Sequence, residues 1–206
     1  MQVMFVHGMG RTGLSGLPML RRLKKAGITT SRFDYFVSLR SFEQIRERLQ
    51  DRIERLASQG DYILVGHSLG GVLIRAALQA SSPARSPSRI FLLGSPVQAS
   101  RLAQHLADNL LFRLLTRDCG QLLGSAGRMS AIDASPVPTT AVIGTKENLL
   151  TRKIFRGMPN DGVVAVDEAD CPDHEDRIFV DVLHTWLPSS RQVSEIILDR
   201  VIQSSS

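Results

Sequence analysis

Residues 63 to 74 read Ile63-Leu64-Val65-Gly66-His67-Ser68-Leu69-Gly70-Gly71-Val72-Leu73-Ile74. Gly66, Ser68 and Gly70 satisfy G-x-S-x-G, with a short apolar strand-like run before the pattern and a helix-compatible run after it. The glycines two residues either side of Ser68 leave room for a sharp, strained turn that lifts the hydroxyl clear of the backbone. The helix that follows sets its positive amino end beneath that hydroxyl. Read this way, Ser68 is a nucleophile; the plainer reading is a serine in a structural turn.

Working outward, the chain opens on the apolar run Met1-Gln2-Val3-Met4-Phe5-Val6, followed by His7-Gly8-Met9-Gly10-Arg11-Thr12-Gly13. Gly8, Gly10 and Gly13 also fit the dinucleotide fingerprint G-x-G-x-x-G. Asp34, 21 residues past Gly13, stands near where a ribose-binding acid is expected. Such a fingerprint has no use for a histidine before its first glycine. If the nucleotide reading fails, Asp34 is an ordinary residue at a strand end.

Taken together, G-H-S-L-G-G at 66–71 and H-G-M-G at 7–10 resemble the α/β-hydrolase superfamily, in particular its small bacterial lipases and esterases. The resemblance covers nearly the whole chain in order of elements. It implies that the backbone N–H groups of Met9 and Leu69 form an oxyanion hole. Losing one such donor costs about 2.7 to 4 kcal/mol of transition-state stabilisation. It also implies the chain order serine, acid, histidine.

Of the five histidines, His7 and His67 adjoin the motif glycines and read as structural, and His105 lies in an insertion. His184 follows the last strand-like segment, where the resemblance places the base; His174, in the acidic stretch Cys171 to Asp176, is the alternative, and a plain surface histidine is the bland one. For the acid, Asn160-Asp161-Gly162-Val163-Val164 resembles the acid loop of bacterial lipases, and Asp161 precedes His184 by 23 residues. Asp-Gly is also a common turn pair. Other candidates for the acid are Glu147, Asp167 and Asp170.

Around these motifs strand-like and helix-like segments alternate. Strands are expected over 1–6, 31–37, 62–65, 89–93, 139–143 and 177–182. Helices are expected over 14–26, 41–59 with Ser41 as N-cap, 69–80 and 191–202. Apolar strands alternating with helices predict the α/β class: a doubly wound, mostly parallel six-stranded sheet with helices on both faces. The resemblance names this the minimal α/β-hydrolase fold, since the two antiparallel strands found upstream in larger members are missing. The chain is expected to form one domain, 1–206, with a helical insertion around 97–130. There Leu102, Leu106, Leu110 and Leu114 recur at fourfold spacing. That insertion reads either as a lid over a substrate cleft or as packing against the body. The loop 81–88 and the tail Ser204-Ser205-Ser206 complete the organisation.

Composition narrows the classes. The 206 residues are 43% hydrophobic and 22% charged, with a mean hydropathy of −0.01, as in ordinary water-soluble globular chains. No apolar run approaches the ~18 residues of a spanning helix. No secretory leader is legible, so the chain reads as cytoplasmic by default, or as the mature form of a secreted protein. Cys119 and Cys171 read as two thiols rather than a disulfide framework. The charge of +5 does not form an aromatic-laced basic groove, which argues against nucleic acid. Asp170, Asp173, Glu175 and Asp176 read as a solvated acidic loop and not a calcium site.

The sequence reading is thus a serine hydrolase that cleaves carboxylic esters through an acyl-enzyme. Ser68 attacks, His184 moves the proton, Asp161 orients His184, and no cofactor or metal takes part. The substrate is expected to be a small-molecule or lipid ester, with no stable membrane insertion. Apolar residues of the insertion and around Met158 suggest acyl chains. A thioesterase or amidase would use the same triad. A noncatalytic binding module on the same fold is the alternative of another class.

Overall fold

A computed structural model describes residues 1–171 and 174–203; Pro172, Asp173 of the acidic stretch and the Ser204–Ser206 tail lie outside the described residues. The chain runs β1 (Gln2–Val6), a 3₁₀ turn (Gly13–Gly16), α1 (Leu17–Lys25), β2 (Thr29–Phe33), α2 (Phe42–Ala57), β3 (Tyr62–His67) and α3 (Leu69–Gln79). It continues with β4 (Arg89–Leu93), α4 (Arg101–His105), α5 (Leu110–Gly124), α6 (Ala126–Ser130) and β5 (Thr139–Gly144). Last come α7 (Arg152–Phe155), α8 (Val166–Ala169), β6 (Asp176–Val180), a 3₁₀ segment (His184–Ser189) and α9 (Arg191–Gln203). The six strands form one sheet in the order β2-β1-β3-β4-β5-β6, and every pairing is parallel.

Strand alternation divides the core in two. Met4, Val6, Leu64, Ile90 and Leu92 pack with α2, α3 and the α4–α6 region, through Ile45, Leu49, Ile53, Val72 and Leu123 among others. Val3, Phe5, Ile63, Val65, Phe91 and Leu93 pack on the other face with Met19, Leu23, Val193 and Ile197 of α1 and α9. Successive residues point to opposite faces, so a continuous apolar run serves both layers. A capping box starts α2: Ser41 Oγ accepts the Gln44 N–H while the Gln44 side chain accepts the Ser41 N–H.

Chain direction places the site. From β1 the chain steps to one neighbour, β2, and then crosses to β3 on the other side of β1. At such a switch point the loops leaving the carboxyl ends of the two central strands diverge and open a crevice. Those loops are His7–Thr12 after β1 and the Ser68 turn after β3.

Three differences from the sequence expectation go beyond one or two residues at an element's end. The second strand is Thr29–Phe33 and not 31–37, because β1 ends at Val6, opposite Phe33, and leaves nothing for Tyr35 to Val37 to pair with. Residues 14–26 split into a 3₁₀ turn and α1, whose first turn carries Pro18. In the insertion the fourfold leucine spacing does not make one helix. Asn109 Oδ1 accepts the Phe112 N–H and starts α5 anew, and Arg117, at φ 46° and ψ −131°, breaks α5 itself. With the helical phase lost, Leu110 and Leu114 are exposed instead of packed against the body.

Candidate active site

Ser68 is the residue between β3 and α3, at φ 53° and ψ −125°, a conformation that costs a non-glycine residue about 1–3 kcal/mol. Its backbone is held from three directions. The Ser68 N–H donates to Leu93 O at 3.0 Å, and Ser68 O accepts from the Gly71 N–H at 3.0 Å and from Ser95 Oγ at 2.5 Å. The side chain sits half-buried at the amino end of α3, whose axis carries its partial positive charge there. Gly70 lets α3 approach β1: a Cβ there would overlap the carbonyl oxygens of Val6 and His7. Gly70→Ala is accordingly expected to lower unfolding free energy by about 1–3 kcal/mol, read from the denaturant midpoint.

The loop after β1 lies against this turn. A Cβ on Gly8 would stand 3.0 Å from Ser68 Cβ and 2.9 Å from His67 Nδ1, so Gly8 is the residue that permits the approach. His7 fixes the loop. Its Nδ1 is 2.8 Å from Gly8 O, its Nε2 accepts the Tyr35 N–H at 3.2 Å, and Tyr35 Oη donates to His7 O at 2.7 Å. The two rings stack with centroids 4.2 Å apart and planes 6° from parallel. An imidazole that accepts at Nε2 and faces a carbonyl at Nδ1 is neutral and protonated on Nδ1. Burial, which lowers the His7 pKa, agrees. Asp34 accepts the Gly13 N–H at 2.6 Å and pairs with Arg32 at 3.0 Å. It therefore closes the glycine loop, which corrects the expectation of an ordinary strand-end residue and leaves the last fingerprint glycine facing a carboxylate.

Asp161 and His184, 23 residues apart in the chain, meet at the carboxyl ends of β4 and β5. His184 Nδ1 is 2.7 Å from Asp161 Oδ2, with both side chains buried, and the His184 N–H donates to Asp161 O at 2.9 Å. The other carboxylate oxygen, Oδ1, accepts the N–H groups of Val163 at 3.0 Å and Val164 at 2.8 Å. The carboxylate is thus fixed in a turn before it meets the imidazole. With Nδ1 engaged, Nε2 is the ring nitrogen left for another group.

His67 joins this pair to the Ser68 turn. Its Nε2 is 3.0 Å from His184 O, and the two rings lie 4.7 Å apart, so His184 is anchored to the residue immediately before Ser68. Burial pushes the His67 pKa well down, and the neighbouring His184 adds to it. A neutral His67 carries its proton on Nε2 and leaves its buried Nδ1 without a partner. Glu168 ties the start of the insertion to the Asp161 loop. Its buried carboxylate accepts the N–H groups of Arg101 at 2.7 Å and Ala165 at 3.0 Å, and meets the Arg101 guanidinium at 3.1 Å.

The remaining candidates lie elsewhere. His174 precedes β6, at the amino edge of the sheet, and His105 is exposed on α4. Glu147 is exposed, Asp167 pairs with Arg101, and Asp170 with Arg177. Sequence reasoning assigned no role to Ser95, Tyr35 or Glu168. Tyr35 lies in buried-exposed alternation that reads as strand, and nothing local marks Ser95 or Glu168. Among the described residues there is no disulfide, and no three His, Cys, Asp or Glu side chains converge as a metal site. Burial raises the Cys119 thiol to about 12.

No protein-family model and no curated protein matches the chain. Solved structures do. The mature Bacillus licheniformis lipase BlEst2 superposes with a TM-score of 0.80 at 18% identity, over 97% of this chain and 91% of that one. The metagenomic carboxyl esterase MGS0156 gives 0.79 at 14%, over 100% of this chain and 75% of that one. The RedJ thioesterase of the Streptomyces coelicolor prodiginine pathway gives 0.60 at 15%, over 98% and 85%. At such identities the likeness is one of architecture: the chain has the α/β-hydrolase fold.

Proposed function

We propose that the protein is a serine hydrolase cleaving carboxylic esters through an acyl-enzyme. The observation that carries the reading is the buried 2.7 Å contact between Asp161 Oδ2 and His184 Nδ1, anchored through His67 to a serine on a strained strand-to-helix turn. In the proposed reaction Ser68 Oγ attacks the ester carbonyl carbon while its proton passes to Nε2 of His184. That imidazolium then protonates the departing alcohol. Water, deprotonated by the same nitrogen, releases the acid and restores Ser68.

The carboxylate of Asp161 holds His184 in the tautomer that accepts at Nε2 and offsets the charge that forms there. The N–H groups of Met9 and Leu69 are the proposed oxyanion donors. Leu69 opens α3, where N–H groups lack intrahelical partners, and Met9 follows a glycine in contact with Ser68. His67 being neutral matters here, since a cation against the ring of His184 would oppose the imidazolium.

That an esterase, a lipase and a thioesterase share the architecture supports acyl transfer and leaves the leaving group open. The test is a fluorophosphonate label followed by p-nitrophenyl esters from acetate to palmitate, with acyl thioesters in parallel. The expected result is one label on Ser68 and ester turnover. A folded protein that neither labels nor turns over any ester or thioester would leave a binding module as the reading.

A further inference from the structure

We propose that the face built by the first half of α5, by α4 and by α7 docks on an anionic lipid bilayer. Two stretches of sequence carry the inference. Residues 109–117 and 146–156 hold six Lys or Arg (Arg113, Arg117, Lys146, Arg152, Lys153, Arg156) against one acid, Glu147, interleaved with six leucines. Leu149 and Leu150 are 82% and 89% exposed, and Leu110, Leu111, Leu114 and Leu115 are exposed as well.

The two stretches form one face. They follow adjacent strands, β4 and β5, and α4 packs against both α5 and α7. Asp118 pins α5 to the amino end of α2 by accepting the Phe42 N–H at 2.8 Å, which holds the leucine-bearing half at the carboxyl edge of the sheet. Of thirteen large apolar residues that are exposed among the described residues, ten lie in segments leaving that edge, Leu14, Phe36, Leu39 and Trp186 included. Single exposed leucines need no explanation, but such a concentration marks a contact surface.

Charge selects the occupant. Elsewhere, among the described residues, eight arginines pair with carboxylates, and on α4 Arg101 pairs with Asp167 and Glu168. Among the described residues, none of the six cations of the two stretches is in an ion pair. Arg and Lys with apolar stems beside protruding leucines suit a boundary whose inside is hydrocarbon and whose surface is anionic. A nucleic acid would leave the leucines in water, and an apolar protein patch would leave the cations uncompensated. Between α4 and α7 a cleft of about 600 Å³, lined by the ion-paired Arg101 and by His105, Leu150, Lys153, Ile154 and Arg156 among others, has room for a headgroup.

The inference is independent of the acyl-transfer reading, and the experiment keeps the two apart. The full chain is sedimented with large vesicles of POPC alone and of POPC with about 30% POPG. At about 0.1 M salt, partition onto the POPG vesicles is expected to be about tenfold or more higher than onto POPC, and to fall steeply at about 0.5 M. Leu149→Gln/Leu150→Gln and Arg152→Gln/Lys153→Gln/Arg156→Gln should each cut it about tenfold while circular dichroism and turnover of a soluble ester stay unchanged. A Ser68→Ala chain should dock as the parent does. Equal partition onto both vesicles, no sedimentation with either, or a concentration-dependent dimer that masks the leucines with no vesicle binding would each overturn the proposal.

Discussion

With Ser68 as the proposed nucleophile, Ser68→Ala is expected to reduce ester turnover about 10⁶-fold, because removing the nucleophile of a triad costs nearly as much as removing the whole triad. The residual rate over water comes from the oxyanion donors and binding alone. The fold is expected to survive, since the contacts that hold position 68 are made by its backbone with Leu93, Gly71 and Ser95, and alanine keeps that backbone. Ser68→Gly should be as inactive but more stable by about 1 kcal/mol, because glycine adopts φ 53° without the steric cost. Turnover and denaturant midpoint of both variants, measured together, check this. A Ser68→Ala chain that keeps even a hundredth of the parent's rate, or a glycine variant that is less stable than the alanine one, would count against a strained nucleophile.

Asp161→Asn should lower kcat about 10⁴-fold with little change in KM. The acceptor contacts to Val163 and Val164 can be kept by the amide oxygen, so the turn stays closed. The amide nitrogen then faces His184 Nδ1, where Asp161 Oδ2 stands 2.7 Å away, and donates to it. His184 must therefore carry its proton on Nε2, the tautomer that cannot accept from Ser68. A stopped or slowed enzyme with unchanged circular dichroism is the expected outcome. Full activity in Asp161→Asn would remove Asp161 from the mechanism, and Glu147, exposed, and Asp167, paired with Arg101, offer no buried replacement.

Part of the site was legible because its rules are local. An apolar strand, a glycine two residues either side of a serine and a helix-forming run suffice to write a strand-turn-helix around Ser68. The six parallel strands follow from apolar runs alternating with helices, and Ser41 announces α2 through a cap bond three residues long. The pairing of Asp161 with His184 rested on resemblance: no periodicity or spacing in the chain says that residues 23 apart must touch.

What only the tertiary structure decided depends on which distant backbone groups meet. Ser95 finds Ser68 O because β4 lies beside β3, and Tyr35 clamps His7 because β1 leaves the sheet at Val6, where β2's partner is lost. His67 reaches the carbonyl of His184 across 117 residues. The leucine repeat of the insertion was misleading for the same reason: an amphipathic spacing describes a helix that persists, and Asn109 and Arg117 end it before its phase can bury Leu110 and Leu114. Sequence by itself determined the elements, the serine turn and the α/β class, through sterics and alternation that act over a few residues. The anchoring of His184, the closure of the glycine loop by Asp34 and the exposure of the leucines were set by hydrogen bonds and packing between segments that meet only when the sheet is assembled.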